Sequence, residues 1–281
     1  VFSHPTIRAL AGLIDSATRG AIVRIPRVSR ESVLPLSFAQ QRLWLIDRLA
    51  GSGQYNMPFA FRLLGVLNRE ALQRSLDTIV ARHEVLRSVF RTRDDGEVFV
   101  VVQAASSIPV TVIDLTQLGV SAREERVHAL AAADATRPFD LGNDLMLRAS
   151  LLELSGQEHV LLFNMHHIAS DGWSTGVLTM EFVTLYDAFS RGVDQPLPAL
   201  PIQYADFAHW QRQWLQGEVL TQQLDYWLNQ LNGLPAMHGL HLDFPRSAVQ
   251  HFAGALHSQR LDQTLSERLR KLSLERGATL F

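Results

Sequence analysis

Cysteine is absent from the 281 residues, and lysine occurs once, as Lys271, so arginine supplies the rest of the 26 basic residues. Without thiols there is no disulfide framework, no cysteine nucleophile and no cysteine-type zinc or iron–sulfur site. A lone lysine in a charged stretch near the C-terminus excludes P-loop and Schiff-base chemistry. An excess of one charge is also missing: the net charge is −2 and the pI is near 6.6, with no basic footprint for a nucleic acid. Apolar runs are short, since Val98–Val102 and Val160–Phe163 fall far below the ~20 residues of a membrane span. No charged n-region with an apolar h-region follows Val1, so neither a signal peptide nor a membrane partner is expected. A chain without cysteine fits the cytoplasm.

What is present describes an ordinary globular protein, with 47% apolar residues and a length that suggests roughly two domains of about 150 residues. The first residue is valine, and Ala278–Phe281 reads as the opening of an apolar helix, which suggests a piece of a longer chain.

The spacing of Ile7, Leu10, Leu13 and Ile14 predicts a helix over His4–Ala17, stopped by Gly20. Arg19, Arg24, Pro26, Arg27, Arg30 and Pro35 follow without a period, as in an extended linker. Ser37 with Gln40 three residues on predicts a capped helix that carries Phe38, Trp44, Leu45 and Leu49 and ends at Gly51. Pro58–Val66 alternates as a strand, and Asn68 caps a helix with the stripe Leu72, Leu76, Ile79 and Val80. Val85–Arg91 reads as a strand turning at Asp94-Asp95-Gly96 into Glu97–Gln103. Pro109–Asp114 is another short strand, with a helix over Ala122–Ala135 after it. Leu145–Leu154 and His159–Met165 are strands flanking the Ser155-Gly156-Gln157 loop. A long helix follows Gly172, with Val177, Leu178, Phe182, Leu185, Tyr186 and Phe189 on its inner face. This order of elements is α+β, with a mixed or largely antiparallel sheet.

The segment with chemistry in it is Asn164–Ser174, NMHHIASDGWS. Consecutive strand residues face opposite ways, so His166 and His167 cannot both enter one cavity, and one of them is structural. Asp171 stands at a helix start, where a carboxylate caps backbone N–H groups and meets the positive end of the dipole. Gly172 leaves room for a ligand, and a histidine just before a helix can reach a substrate. The residues alone leave three readings open: a core histidine followed by a cap, a catalytic histidine, or a metal site for which spacing offers no third ligand.

HHIASDG (His166–Gly172) resembles the HHxxxDG signature of condensation domains of nonribosomal peptide synthetases, in a superfamily with chloramphenicol acetyltransferase-like acyltransferases. Other motifs accompany it in the family's order: LSFAQQRLWL (Leu36–Leu45), RHEVLRSVF (Arg82–Phe90), YADFAHW (Tyr204–Trp210), then Tyr226–Leu231 and Leu242–Arg246. The resemblance runs from about residue 33 to 281, and the family's later motifs are absent. Val1–Ile14 is similar to the last helix of a peptidyl carrier protein. The implied organisation is a carrier tail over 1–20, a linker over 21–35, a chloramphenicol-acetyltransferase-like N-terminal lobe over 36–190, and inter-lobe helices with the start of an incomplete second lobe over 191–281.

The resemblance implies peptide bond formation, in which the amine of one carrier-bound aminoacyl thioester attacks the thioester carbonyl on another carrier. An L-configured donor and acceptor are favoured. An epimerisation domain, which keeps HHxxxDG, and a non-catalytic carrier-docking lobe are the alternatives. Upstream donor and downstream acceptor carriers, and a downstream adenylation domain, are the implied partners. The substrates arrive on 4′-phosphopantetheine, and no cofactor is bound by this chain. Among the motif residues, His167 is implied as base or positioner, with His166 supporting the turn and Gly172 offering an N–H or room. Asp171 is implied to be structural, in a buried pair with Arg82 or, as second choice, Arg87. Trp173 and Ser174 line the tunnel or simply pack and cap. Tyr204, Phe207, Trp210 and Trp214 recur at helical spacing as packing residues, and His238, His241, His251 and His257 are scattered without ligand spacing.

Overall fold

A strand inside the four-stranded sheet is the most continuously buried of the chain's described strands. β7 (Glu158–His166) is buried along all but its first residue and is hydrogen-bonded on both edges. The computed structural model that shows this describes residues 6–16, 24–51, 53–235, 237, 239–245, 254–255 and 257–280. These fall into two units, Ile25–Ala236 and a smaller one that joins residues up to Arg24 with those from Met237 onward.

In the larger unit, β7 pairs antiparallel with β2 (Asn56–Leu64) on one side and β6 (Leu147–Ser155) on the other; β5 (Val110–Asp114) adds parallel to β6. A second, antiparallel sheet orders β1 (Leu34–Pro35), β4 (Val98–Val102) and β3 (Ser88–Thr92). Helices α3 (Arg69–Arg82) and α5 (Gly172–Ser190) pack together against the four-stranded sheet, and α4 (Val120–Thr136) lies on its opposite face. The α+β class and the mixed, largely antiparallel sheet match the sequence reading. Helix α2 (Phe38–Ala50) and helix α6 (Tyr204–Trp214) flank the small sheet, with α7 (Gly217–Gln230) beyond. The smaller unit holds α1 (Ile7–Ser16) and α8 (Gln263–Glu275). Gly20, Arg19, His238, Arg246, His251 and Phe281, all invoked by the sequence reading, lie outside the described residues.

Local chemistry explains most boundaries. Ser37 and Gln40 close a capping box, and Asn68 accepts the Ala71 N–H at 3.0 Å, so both caps form as the sequence predicts. The predicted stripe of α3, Leu72, Leu76, Ile79 and Val80, is fully buried. Two strand expectations need correction. Val85–Arg91 is not one strand: Glu84–Arg87 forms a 3-10 turn, closed by the Leu86 N–H on His83 O at 3.0 Å and Ser88 Oγ on Glu84 O at 2.8 Å, and the strand begins at Ser88. An apolar pair such as Val85-Leu86 is compatible with either conformation, and local hydrogen bonds decided. In α2 the buried face is Gln40 and Leu43, whereas Leu45 and Leu49 point outward. Val66 lies beyond the end of β2, which stops before Gly65 at φ +105.

One buried ionic corner ties the start of this unit to α6. Asp206 is 1% exposed and accepts hydrogen bonds from Arg30 Nη1 at 2.7 Å, Val28 N at 2.9 Å and Gln203 N at 2.7 Å. Arg30 Nε also meets Glu84 at 2.7 Å. Burial opposes ionisation of Asp206, but the Arg30 and backbone donors outweigh it and hold its carboxyl below the usual range. The tandem aromatics of α6 pack on one another, with Trp210 and Trp214 stacked at 5.2 Å between centroids. Neutralising the carboxylate leaves Arg30 with Glu84 as its remaining acid and weakens the charged hydrogen bonds at this corner, so Asp206→Asn is expected to cost about 2 kcal/mol in urea unfolding. Because the folded pKa is depressed, this stabilisation is complete above the unfolded value of about 4 and is lost as pH falls through the lower folded value. The mutant's acid-unfolding curve is therefore expected to be flatter there than that of the wild type.

Candidate active site

The end of β7 delivers the histidine pair to a turn. His166, the last strand residue, is fully buried, and its Nδ1 accepts the Ile168 N–H at 3.0 Å, which places the ring proton on Nε2. Its ring meets Phe139 edge-on at 5.8 Å, and its carbonyl takes the Ala169 N–H and Ser170 Oγ–H. His167 turns the other way and is exposed. Its backbone N–H donates to Tyr55 O at 2.9 Å, and the two rings meet edge-on at 6.4 Å. Gln40, from the capped start of α2, donates to Ile168 O at 3.4 Å and braces the turn from below.

Asp171 caps α5. Its Oδ1 accepts from Ser174 N at 2.8 Å and Ser174 Oγ at 2.6 Å, and Ser174 Oγ accepts from the Asp171 N–H at 3.3 Å. These hydrogen bonds from Ser174, with a smaller contribution from nearby His167, hold the Asp171 carboxyl below the usual range. Gly172 opens the helix, with no atom within 4 Å of where a Cβ would stand. Trp173 is 84% exposed.

The expected partnership of Asp171 with Arg82 is not formed. Arg82 Nε meets Glu181 Oε1 at 3.0 Å, and its Nη1 donates to Pro198 O at 2.5 Å. Arg82 ends α3, and α3 packs along the body of α5 rather than its first turn, so the acid within reach is Glu181. Arg87 is no substitute: it donates to the carbonyls of Gln103 and Ala81 and secures the 3-10 turn to the end of β4.

A cavity of about 380 Å³ opens over this turn, lined by His167, Ser170 and Asp171 together with Tyr55, Arg42, Gln203, Tyr204 and His83. Residues from four of the quoted motifs thus share one wall. A neighbouring cavity of about 160 Å³ is bounded by Trp173, Ser174, Val177 and, again, His83. His83, its carboxylate partner Glu181, and Gln203 belong to the site without standing out in the sequence. The available signal was Glu181 itself, an acid between Met180 and Phe182 in the apolar α5. Among the described residues no group of three histidine or acidic side chains could hold a metal ion, and no helix is long and apolar enough to cross a membrane.

A family model described as Condensation domain matches residues 30–281. The chain belongs to the condensation domain family. Over its full length this condensation domain is 45% identical to a stretch of a linear gramicidin synthase of Brevibacillus parabrevis, of which it spans 4%. Over 99% of its length it is 40% identical to phosphinothricin tripeptide synthetase PhsC of Streptomyces viridochromogenes, spanning 26% of that protein. Among solved structures, the X-domain from teicoplanin biosynthesis superposes with a TM-score of 0.78 at 29% identity, covering 92% of this chain and 56% of that one. The first condensation domain of the calcium-dependent antibiotic synthetase shares the fold, with a TM-score of 0.64 at 22% identity over 73% of this chain and 48% of that one. The chloramphenicol-acetyltransferase-like lobe expected from the motifs is therefore the architecture observed.

Because Asp171 in this condensation domain is an exposed cap and not half of a buried ion pair, Asp171→Ala is expected to cost about 1 kcal/mol of stability, and Asp171→Asn a few tenths. Urea denaturation of the two variants checks this; a loss of about 3–5 kcal/mol is the signature of a broken buried pair instead.

Proposed function

We propose that this domain joins two carrier-bound substrates through a peptide bond. An α-amine on one 4′-phosphopantetheine arm attacks the thioester carbonyl on another, and an amide and a free thiol result. The observation that carries this reading is the exposed His167 imidazole at the mouth of a 380 Å³ cavity, on a turn braced by Tyr55, Gln40 and His166. The chemical demand is modest. A thioester is already activated, and an α-amine with a pKa of about 8 is partly neutral at physiological pH, so a mild base or a hydrogen-bonding positioner suffices. Holding both partners in register is worth up to about 7–11 kcal/mol of barrier in favourable cases.

In this reading donor and acceptor are both L-configured, the carriers lie upstream and downstream, an adenylation domain follows in the parent chain, and the assembly works in the cytoplasm. Residues 1–20 are the tail of the upstream carrier, 21–35 the linker, 36–190 the lobe with the histidine turn, and 191–281 the passage into the second lobe. The catalytic set is His167 with His166, Asp171 and Gly172 shaping the turn, and Trp173 and Ser174 lining the approach.

A second reading, a docking lobe without turnover, draws support from a solved relative: the teicoplanin X-domain, at 30% identity and a TM-score of 0.77, has been solved in complex with OxyB. Carrier-loaded donor and acceptor thioesters separate the two. His167→Ala is expected to lower the condensation rate by about 10²-fold or more with little change in stability. His166→Ala is expected to lose stability first, since it empties a buried site. An undiminished rate in His167→Ala takes the catalytic role from His167, and no product from the wild-type domain sinks the catalytic reading and leaves docking.

A further inference from the structure

His83 is anchored to an acidic side chain of α5. Its Nε2 lies 2.6 Å from Glu181 Oε2, and the other oxygen of that carboxylate is held by Arg82. All three side chains are mostly buried, with Glu181 11% exposed and His83 21%. The backbone on both sides of His83 is clamped by one amide: Gln203 Nε2 donates to Arg82 O at 2.9 Å, and Gln203 Oε1 accepts the Glu84 N–H at 3.2 Å. The ring lines both the cavity over His167 and the smaller one under Trp173.

A carboxylate against Nε2 requires a proton there, so Nε2–H donates to Glu181 and Nδ1 becomes the accepting nitrogen. Among the described residues no hydrogen bond engages Nδ1. This is the arrangement in which a carboxylate fixes the tautomer and orientation of an imidazole whose other nitrogen accepts. His167 has nothing equivalent. Its nearby acid, Asp171, is committed to Ser174, and among the described residues the ring's contact is the edge of Tyr55. The other charged groups around His83 are Arg82 on α3, Glu84 on the 3-10 turn and Glu181 on α5, with Arg42, His167 and Asp171 on the same cavity wall.

We infer that His83, backed by Glu181, is a second proton-handling imidazole of this site, which holds the proton while His167 orients the amine. The inference rests on the condensation reading and divides its labour. The amine nitrogen forms its bond to the thioester carbonyl carbon as the C–S bond breaks and the electron pair leaves with sulfur. The proton lost by nitrogen passes to Nδ1 of His83 and from there to the departing thiolate, which becomes the thiol.

Single-turnover condensation in the parent multidomain protein, with both carriers loaded, tests this. His83→Ala is expected to slow product formation by about 10²–10⁴-fold in protein that is still folded at the assay temperature, with acceptor affinity retained, and added imidazole to restore part of the rate. Glu181→Gln is expected to slow it less, and the double variant to be no slower than His83→Ala alone. A wild-type rate in His83→Ala, beside an inactive His167→Ala, overturns the inference and leaves condensation standing. Loss without rescue by imidazole overturns it as well, making His83 a packing residue. Full activity of His83→Ala and His167→Ala alike overturns the inference and both histidine assignments, whereas no product from the wild-type protein removes the condensation reading itself.

Discussion

The strand β7 is the constraint from which the site follows. Its backbone is satisfied on both edges by β2 and β6, and its side chains are buried on both faces, so it has no freedom to slide or twist relative to the sheet. A strand fixed in that way ends at a fixed place. The pleat then sends His166 into the core and His167 out of it, and the buried imidazole itself closes the turn by accepting the Ile168 N–H. Two adjacent residues of one type thus acquire opposite roles from a single geometric rule.

Around that turn, the carbonyls and N–H groups that leave the sheet are met by side chains, one from the turn itself and two from distant segments. Gln40 reaches Ile168, Ser170 reaches back to His166, and Gln203 bridges Arg82 and Glu84. Irregular backbone near a core is tolerable only where such partners exist. The amide side chains therefore do for the loops of this site what the ladder does for the sheet, and they explain why motifs more than a hundred residues apart converge on one wall.

Much of this was legible beforehand. The caps at Ser37 and Asn68 and the stripe Leu72–Val80 are local patterns with a period, and they emerged intact. The turn at Glu84–Arg87 was not legible, since an apolar pair next to a helix end carries no period of its own. Nor did the helical spacing in α2 show that Gln40 and Leu43 would be the buried face rather than Leu45 and Leu49. Arg82 needed an acid, and sequence offered Asp171 inside a motif; the choice of Glu181, 99 residues away, depends on where along α5 the end of α3 comes to rest. Charge pairs across such separations are set by packing, and the motif that names one partner says nothing about the other.

The ionic corner at Asp206 also has a mechanical side. Residues Val28 and Arg30 are fastened to it by three bonds in all once Glu84 is counted, and Arg27 adds hydrogen bonds to the carbonyls of Leu200 and Pro201. The stretch from Leu200 to Tyr204 forms part of the cavity wall. Tension applied to the chain ahead of Arg27 is thus borne first by that wall, and only afterwards by the sheet. Whatever tugs on this end of the unit loads the rim of the cavity directly, as a drawstring does the mouth of a bag.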